Sequence, residues 1–127
     1  MTPAQFREIA LALPDAEEQC HMDHPDFRVG GRIFASLGYP DAAWGMVKLF
    51  PAQQSAYVTA DPKTFVPVKG AWGKKGYTNV LLKSASKRKV QEALYAAWRT
   101  ASIRAALRKV ESEQSGRGKK PKPAGAV

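Results

Sequence analysis

The chain has 127 residues, 44% of them hydrophobic, with one cysteine, two histidines and a formal net charge of +9. That length suits one domain with a real core and is too short for two, and the hydrophobic share fits a globular protein and not a disordered one. A single cysteine excludes an internal disulfide framework, and no apolar run approaches the ~18 residues of a membrane helix.

The charge is uneven. Up to Val68 there are five Lys/Arg against eight Asp/Glu, a net of −3, whereas from Lys69 onward there are fifteen against three, a net of +12. Four of those cations lie in SGRGKKPKPAGAV at 115–127, a composition that cannot build a core. A single α+β domain over 1–114 and a disordered basic tail over 115–127 are therefore expected. The stretch MTPAQFREIALALPDAEEQ lacks a basic leader region and interrupts its apolar pattern with Arg7 and Glu8. It does not read as a signal peptide, and a cytoplasmic protein is expected.

In chain order, Thr2-Pro3-Ala4-Gln5 is a helix start, with Thr2 as N-cap and Gln5 closing a capping box. Phe6, Ile9, Ala10 and Leu13 recur at helical spacing, so a helix over about 3–13 is predicted. Phe27-Arg28-Val29 and Ile33 to Leu37 flank Gly30-Gly31, the signal of a two-residue hairpin, in a register that sets Phe27 opposite Phe34. Gly38-Tyr39-Pro40-Asp41 reads as a loop and Trp44 to Leu49 as a strand. Pro51 opens a short helix with Ala52, Ala56 and Val58 inward, stopped by Asp61-Pro62. Phe65 to Val68 is extended, at a sheet edge because of Pro67, and Tyr77 to Lys83 is a further strand. The last helix starts at Ser84 or Ser86 and buries Val90, Leu94, Ala97, Trp98 and Ala101 on one stripe. Ile103, Leu107 and Val110 fall out of that phase, so a second short helix, capped by Thr100 or Ser102, is expected to turn and bury them. The fold class is α+β, an antiparallel β-sheet with N- and C-terminal helices packed on one face.

Taken together, LALPDAEE, HPDFRVGGRIFASLG, WGMVKL, KGAWGKKGYTNVLL and the helix ending AWRTAS resemble the MmcQ/YjbR family from about residue 3 to about 110. The FRVGGRIFASLG hairpin is the most specific part. The resemblance implies an α+β fold like that of CyaY/frataxin and DNA binding through two loops that project as wings. It implies no catalytic residues.

The densest chemistry is CHMDHPDFR, where Cys20, His21, His24 and Asp26 stand within seven residues. Zinc sites usually repeat a ligand pair after a fixed interval, and here no further Cys or His occurs elsewhere in the chain. Alternation along a strand would also send Cys20 and His21 to opposite faces. The simpler reading makes His24-Pro25-Asp26 a turn entering the hairpin, with Asp23 or Asp26 bonding nearby backbone N–H groups and Cys20 a small buried residue. No metal, cofactor or catalytic residue is expected, and the protein does not read as an enzyme. The loop GAWGKKG lacks the spacing of a phosphate-binding loop.

A binding role rests on the basic half. Lys69, Trp72, Lys74, Lys75 and Tyr77 form a flexible loop in which lysines can neutralise phosphates and aromatics can stack on bases. Lys83 follows, and Lys87, Arg88 and Lys89 sit in the first turn of the last helix, against its macrodipole. The expected function is DNA binding that grips backbone phosphates with little sequence preference, because Arg99, Arg104 and Arg108 do not form a base-reading line. The oligomeric state is not readable from the sequence, and a monomer is the default. The alternative is a non-enzymatic interaction or small-ligand domain whose basic charge serves solubility. On the metal question, purified protein should contain no stoichiometric zinc or iron by elemental analysis, and Cys20→Ser with His21→Ala should leave melting indifferent to chelator. One equivalent of metal per chain would overturn that reading.

Overall fold

The computed structural model describes residues 1–119, with side chains up to Gln114. Residues 120–127 of the expected tail lie outside the described residues, and 115–119 are described as backbone only.

Thr2 caps the first helix, α1 (Pro3–Leu11), by a reciprocal pair of hydrogen bonds: the Gln5 N–H donates to Thr2 Oγ1 at 3.1 Å and the Thr2 N–H to Gln5 Oε1 at 2.8 Å. Six strands follow: β1 (Glu17–His21), β2 (His24–Val29), β3 (Arg32–Leu37), β4 (Trp44–Lys48), β5 (Phe65–Pro67) and β6 (Tyr77–Leu81). Between β4 and β5 lies α2 (Pro51–Ala60), and a single helical turn, α3 (Ala71–Lys74), precedes β6. The chain ends in α4 (Lys87–Lys119), whose N-cap is Ser86: its Oγ accepts the Lys89 N–H at 3.1 Å. No helix among the described residues is long and apolar enough to cross a membrane.

The strands form one antiparallel sheet in the order β1-β2-β3-β4-β6-β5. Pro67 is on the edge strand, where its missing N–H breaks no ladder. Gly30 and Gly31 make the two-residue turn between β2 and β3 with φ of +57° and +79°, the left-handed pair that such a turn needs.

Helices α1, α2 and α4 all pack on one face. Phe6, Ala10, Val90, Leu94 and Ala97 from the helices meet Phe27, Phe34, Val47, Val80 and Phe65 from the strands, every one of them buried. Phe6 stacks obliquely on Phe27 at 6.2 Å, and Tyr57 of α2 on Phe65 at 5.0 Å. Burying a phenylalanine ring contributes roughly 2–3 kcal/mol, so these rings hold the layers together.

Several expectations are corrected. Phe27 pairs with Ala35, not Phe34, because Phe34 is the extra residue of a β-bulge that follows the Arg28–Ile33 pair. The bulge lets Phe34 and Ala35 both turn into the core. The stretch His24-Pro25-Asp26 is strand, not turn: the turn sits one step earlier, at Met22 and Asp23 with φ of +52° and +68°. That hairpin lacks the glycine or asparagine that marks such turns, and β1 is polar along its length. Cys20 is exposed rather than buried, since β1 is an edge strand with every residue in solvent. Ala52 and Ala56 of α2 face out, and Gln54 and Tyr57 face in. Trp98 is half-buried, donating its indole N–H to the Pro14 carbonyl at 2.9 Å.

The largest correction is at the C-terminus. No second helix breaks away after Ala101: α4 continues unbroken. Residues 102–114 are dominated by Ala, Leu, Arg, Lys and Glu, with no glycine or proline, so a loss of apolar phase alone does not interrupt a helix of good formers.

The hairpin turn is also a docking point for α4. A Cβ added to Gly30 would lie 2.6 Å from Ala105 Cβ, whereas one on Gly31 would meet nothing within 4 Å. Gly31→Val should cost about 1 kcal/mol or more from backbone strain alone, and Gly30→Ala should cost more. Combined with Ala105→Gly in a urea-denaturation cycle, Gly30→Ala should show a coupling of ~1 kcal/mol, while Gly31→Val should show none.

Candidate functional site

Helices α1, α2 and α4 cover one face of the sheet; on the other, the single turn of α3 stands at one corner, where its Trp72 packs on Tyr77. Strand alternation fixes which side chains stand there. The register gives a row running across all six strands: Gln19, Asp26, Ser36, Met46, Asn79 and Val66. Beside it, Trp44 pairs with Leu81, and on the other side Lys48 pairs with Tyr77.

Two features of this face bear on chemistry. Asp26 is buried and takes a bidentate pair from Arg28, Nε to Oδ1 at 2.8 Å and Nη2 to Oδ2 at 3.1 Å. The hydrogen bond to Asp26 raises the Arg28 pKa above its already high value, outweighing the desolvation that lowers it, and the carboxylate charge adds to the effect. Such a pair orients its groups more than it stabilises the fold. Near the centre, Asn79 Oδ1 is buried with no hydrogen-bond partner among the described residues, between Met46 and Val66.

The corner at the start of β6 is where charge and aromatic surface meet. Trp72 and Tyr77 pack edge to face with centroids 5.0 Å apart, and Trp72 remains 55% exposed. Lys48 Nζ lies 5.1 Å from the Tyr77 ring centroid and Lys75 Nζ 5.3 Å from that of Trp72. The expected flexible loop is an ordered turn. Gly73 is buried where a Cβ would run into the Val68 carbonyl, and Gly76, with φ of +106°, is buried against the Leu49 carbonyl. The Gln54 side-chain amide of α2 donates to the Gly73 and Tyr77 carbonyls, each at 3.0 Å. These contacts hold the turn by its backbone, with the Trp72 ring against Tyr77 on one side and about half exposed.

The structure brings together some of the residues singled out from sequence and separates others. Lys69, Trp72, Lys74, Lys75 and Tyr77 share the corner, and Lys69, Lys74 and Lys75 are exposed. Lys83, Lys87, Arg88 and Lys89 gather at the other end of β6, about 16 Å away at ~3.3 Å per residue. Arg88 is engaged with Glu92 at 3.4 Å, and Lys87 lines a shallow groove with Gln5, Glu8 and Leu13 of the helical layer. Lys48 is the residue that sequence reasoning missed. Its place beside Tyr77 is a matter of β4–β6 register, which no local pattern carries.

In CHMDHPDFR, His21 and His24 are cross-strand partners, while Cys20 faces Pro25 on the other side of the ribbon. Asp26 is held by Arg28. Among the described residues no three His, Cys, Asp or Glu side chains are grouped to hold a metal.

Comparison with known proteins places this architecture. The YjbR family model matches residues 11–100. A Deinococcus radiodurans protein, DR2400, with a DUF419 domain, is similar in structure with a TM-score of 0.64 at 21% identity, over 76% of this chain and 75% of that one. A Pseudomonas syringae protein is similar with a TM-score of 0.58 at 14% identity, over 80% of this chain and 99% of that one. No curated protein matches the chain.

The orphaned Asn79 oxygen yields a test of the open face. A buried carbonyl without a partner costs ~1–3 kcal/mol, so Asn79→Val, which suits a strand, should raise the unfolding free energy by ~1 kcal/mol. An unchanged or lowered midpoint in urea would mean that the oxygen is satisfied in solution.

Proposed function

The chain belongs to the YjbR family, and from that premise we propose that it is a DNA-binding module, not an enzyme, which grips backbone phosphates at the Trp72–Tyr77 corner with little sequence preference. The observation that carries this reading is the exposed Trp72 ring set edge-on to Tyr77, with Lys48 and Lys75 over the two rings. Lysines on ring faces keep their charge in water and gain a modest cation–π attraction. A phosphate can then approach the ammonium groups while the indole stacks on a base or lies against a sugar. The corner lies on the sheet face opposite α1, α2 and α4, and Trp72, Lys69, Lys74 and Lys75 are exposed there.

The separate cluster Lys83, Lys87, Arg88 and Lys89 stands at the other end of β6, with Lys87 beside α1 and Arg88 paired to Glu92. The corner supplies four lysines: Lys48, Lys69, Lys74 and Lys75.

Four neutralised phosphates give a log–log salt slope near about −3.6 on duplex DNA, so raising salt from about 50 to about 200 mM should weaken binding on the order of a hundred-fold. Lys74→Ala with Lys75→Ala should flatten the slope by about 2 and weaken all sequences alike. Trp72→Ala should cost ~1–3 kcal/mol on single strands and leave the slope unchanged. Truncation after Gln114 is the control for the basic tail. If the truncated, folded protein shows no binding at about 50 mM salt, the domain is no DNA module and the interaction belongs to the tail.

A further inference from the structure

Helix α4 carries two apolar stripes, and the domain uses one. Val90, Leu94, Ala97 and Ala101 are buried against the sheet. Ile103, Leu107 and Val110, spaced i, i+4, i+7, lie on the far side of the same helix and are 50%, 57% and 48% exposed. Toward the domain this second stripe runs into a shallow groove of about 500 Å³ beside the start of α2, where Phe50 and Tyr95 are also exposed. A contiguous apolar surface of this kind, rimmed by charge, marks a contact for another molecule.

The rim identifies the occupant. Arg99 and Arg104 stand toward the N-terminal end of the stripe, and Glu111 and Glu113 toward its C-terminal end. With 3.6 residues per turn, Arg104 and Glu111 lie on one flank and Arg99 and Glu113 on the other. Among the described residues none of these four makes an ion pair; Arg104 lies over the Phe50 ring at 4.9 Å. We propose that α4 is the contact of a symmetric dimer, in which the Ile103–Val110 face of one chain packs antiparallel on the same face of a second copy, about a two-fold axis near Leu107.

That operation sets Arg104 against Glu111 of the second copy and Arg99 against Glu113 of the second copy, and each pair occurs twice because the interface is isologous. A parallel pairing, with its two-fold along the helices, would bring opposite flanks together and set Arg104 nearest Arg99 of the second copy and Glu111 nearest Glu113 of the second copy, like charge against like. A uniformly acidic partner would face the glutamates, a uniformly basic one the arginines, and a lipid surface would strand all four charges. A second antiparallel copy satisfies every one of them. The unbroken helix is what makes this possible: had the chain turned after Ala101, the stripe would be covered by its own domain. The surface is small for a permanent dimer, so association should depend on concentration in the range of a weak interface.

The test is the mass of the full-length, nucleic-acid-free protein by sedimentation equilibrium from about 1 to about 200 μM. The weight-average mass should climb from the monomer value of 13.9 kDa toward twice that figure. Leu107→Glu should hold the protein at the monomer mass throughout. Arg104→Glu and Glu111→Arg should each weaken association about tenfold, and the double swap should recover it to within about threefold of the parent. Circular dichroism and thermal melting establish that each variant remains folded. A monomer at every concentration would falsify the proposal, as would a dimer indifferent to Leu107→Glu. Failure of the double swap to restore association would overturn the antiparallel arrangement.

Discussion

The ring of Phe6 lies against the backbone of Gly45, so close that a Cβ there would come within 2.9 Å of it. This contact sets how near α1 comes to the centre of the sheet, and much else follows from it. With Phe6 seated between Gly45 and Phe27, α1 and α4 can lie side by side over β2, β3 and β4. A larger residue at 45 would lift the helix and open the core, because interiors at crystal-like density have no slack to absorb it. Coverage of one face by three helices leaves the opposite face to be built from side chains that shield one another: Asp26 under Arg28, Asn79 between Met46 and Val66, and Tyr77 under Lys48.

The two faces therefore differ in character. The covered face is held by area, through phenylalanines and small aliphatics without polar demands beyond Thr64 and Thr78, both of which are hydrogen-bonded. The open face contains the charged pair and the orphaned carbonyl, groups that add little net stability but constrain geometry. At its corner, glycines at 73 and 76 let backbone approach backbone, and Gln54 ties α2 to the same turn. An exposed tryptophan costs hydrophobic free energy, and here it is presented by a rigid mount. That combination is what a binding surface needs, since ordering a loose loop on contact would cost conformational entropy.

Helix α4 joins the two themes. Its first part closes the core; beyond Ala105 it runs on with an apolar stripe and an asymmetric charge order. Three lysines and one arginine of the tail add to the positive balance of the C-terminal half, so net charge by itself does not distinguish a phosphate site from solubility. Placement does. The lysines at the Trp72 corner share a surface with aromatic rings, whereas those at the start of α4 stand at the far end of β6 beside the helical layer.

Much of this was legible locally. The capping box at Thr2, the Gly-Gly turn, the edge position forced by Pro67, the buried stripe from Val90 to Ala101 and the α+β class all follow from short-range rules: a cap needs an acceptor, a primed turn needs positive φ, a stripe needs period 3.6. Membership of a family was readable from the same segments. The remainder depended on partners distant in sequence. The bulge at Phe34 exists because the core has room for two side chains there; β1 forms because β2 offers it an edge, despite a turn that puts Met22 as well as Asp23 at positive φ. Lys48 meets Tyr77 through the pairing of β4 with β6. Loss of apolar phase after Ala101 pointed to a break in α4 that its good helix formers do not make. Whether a stripe out of phase with the core is folded back or left in solvent depends on packing between segments distant in sequence, which no local pattern carries.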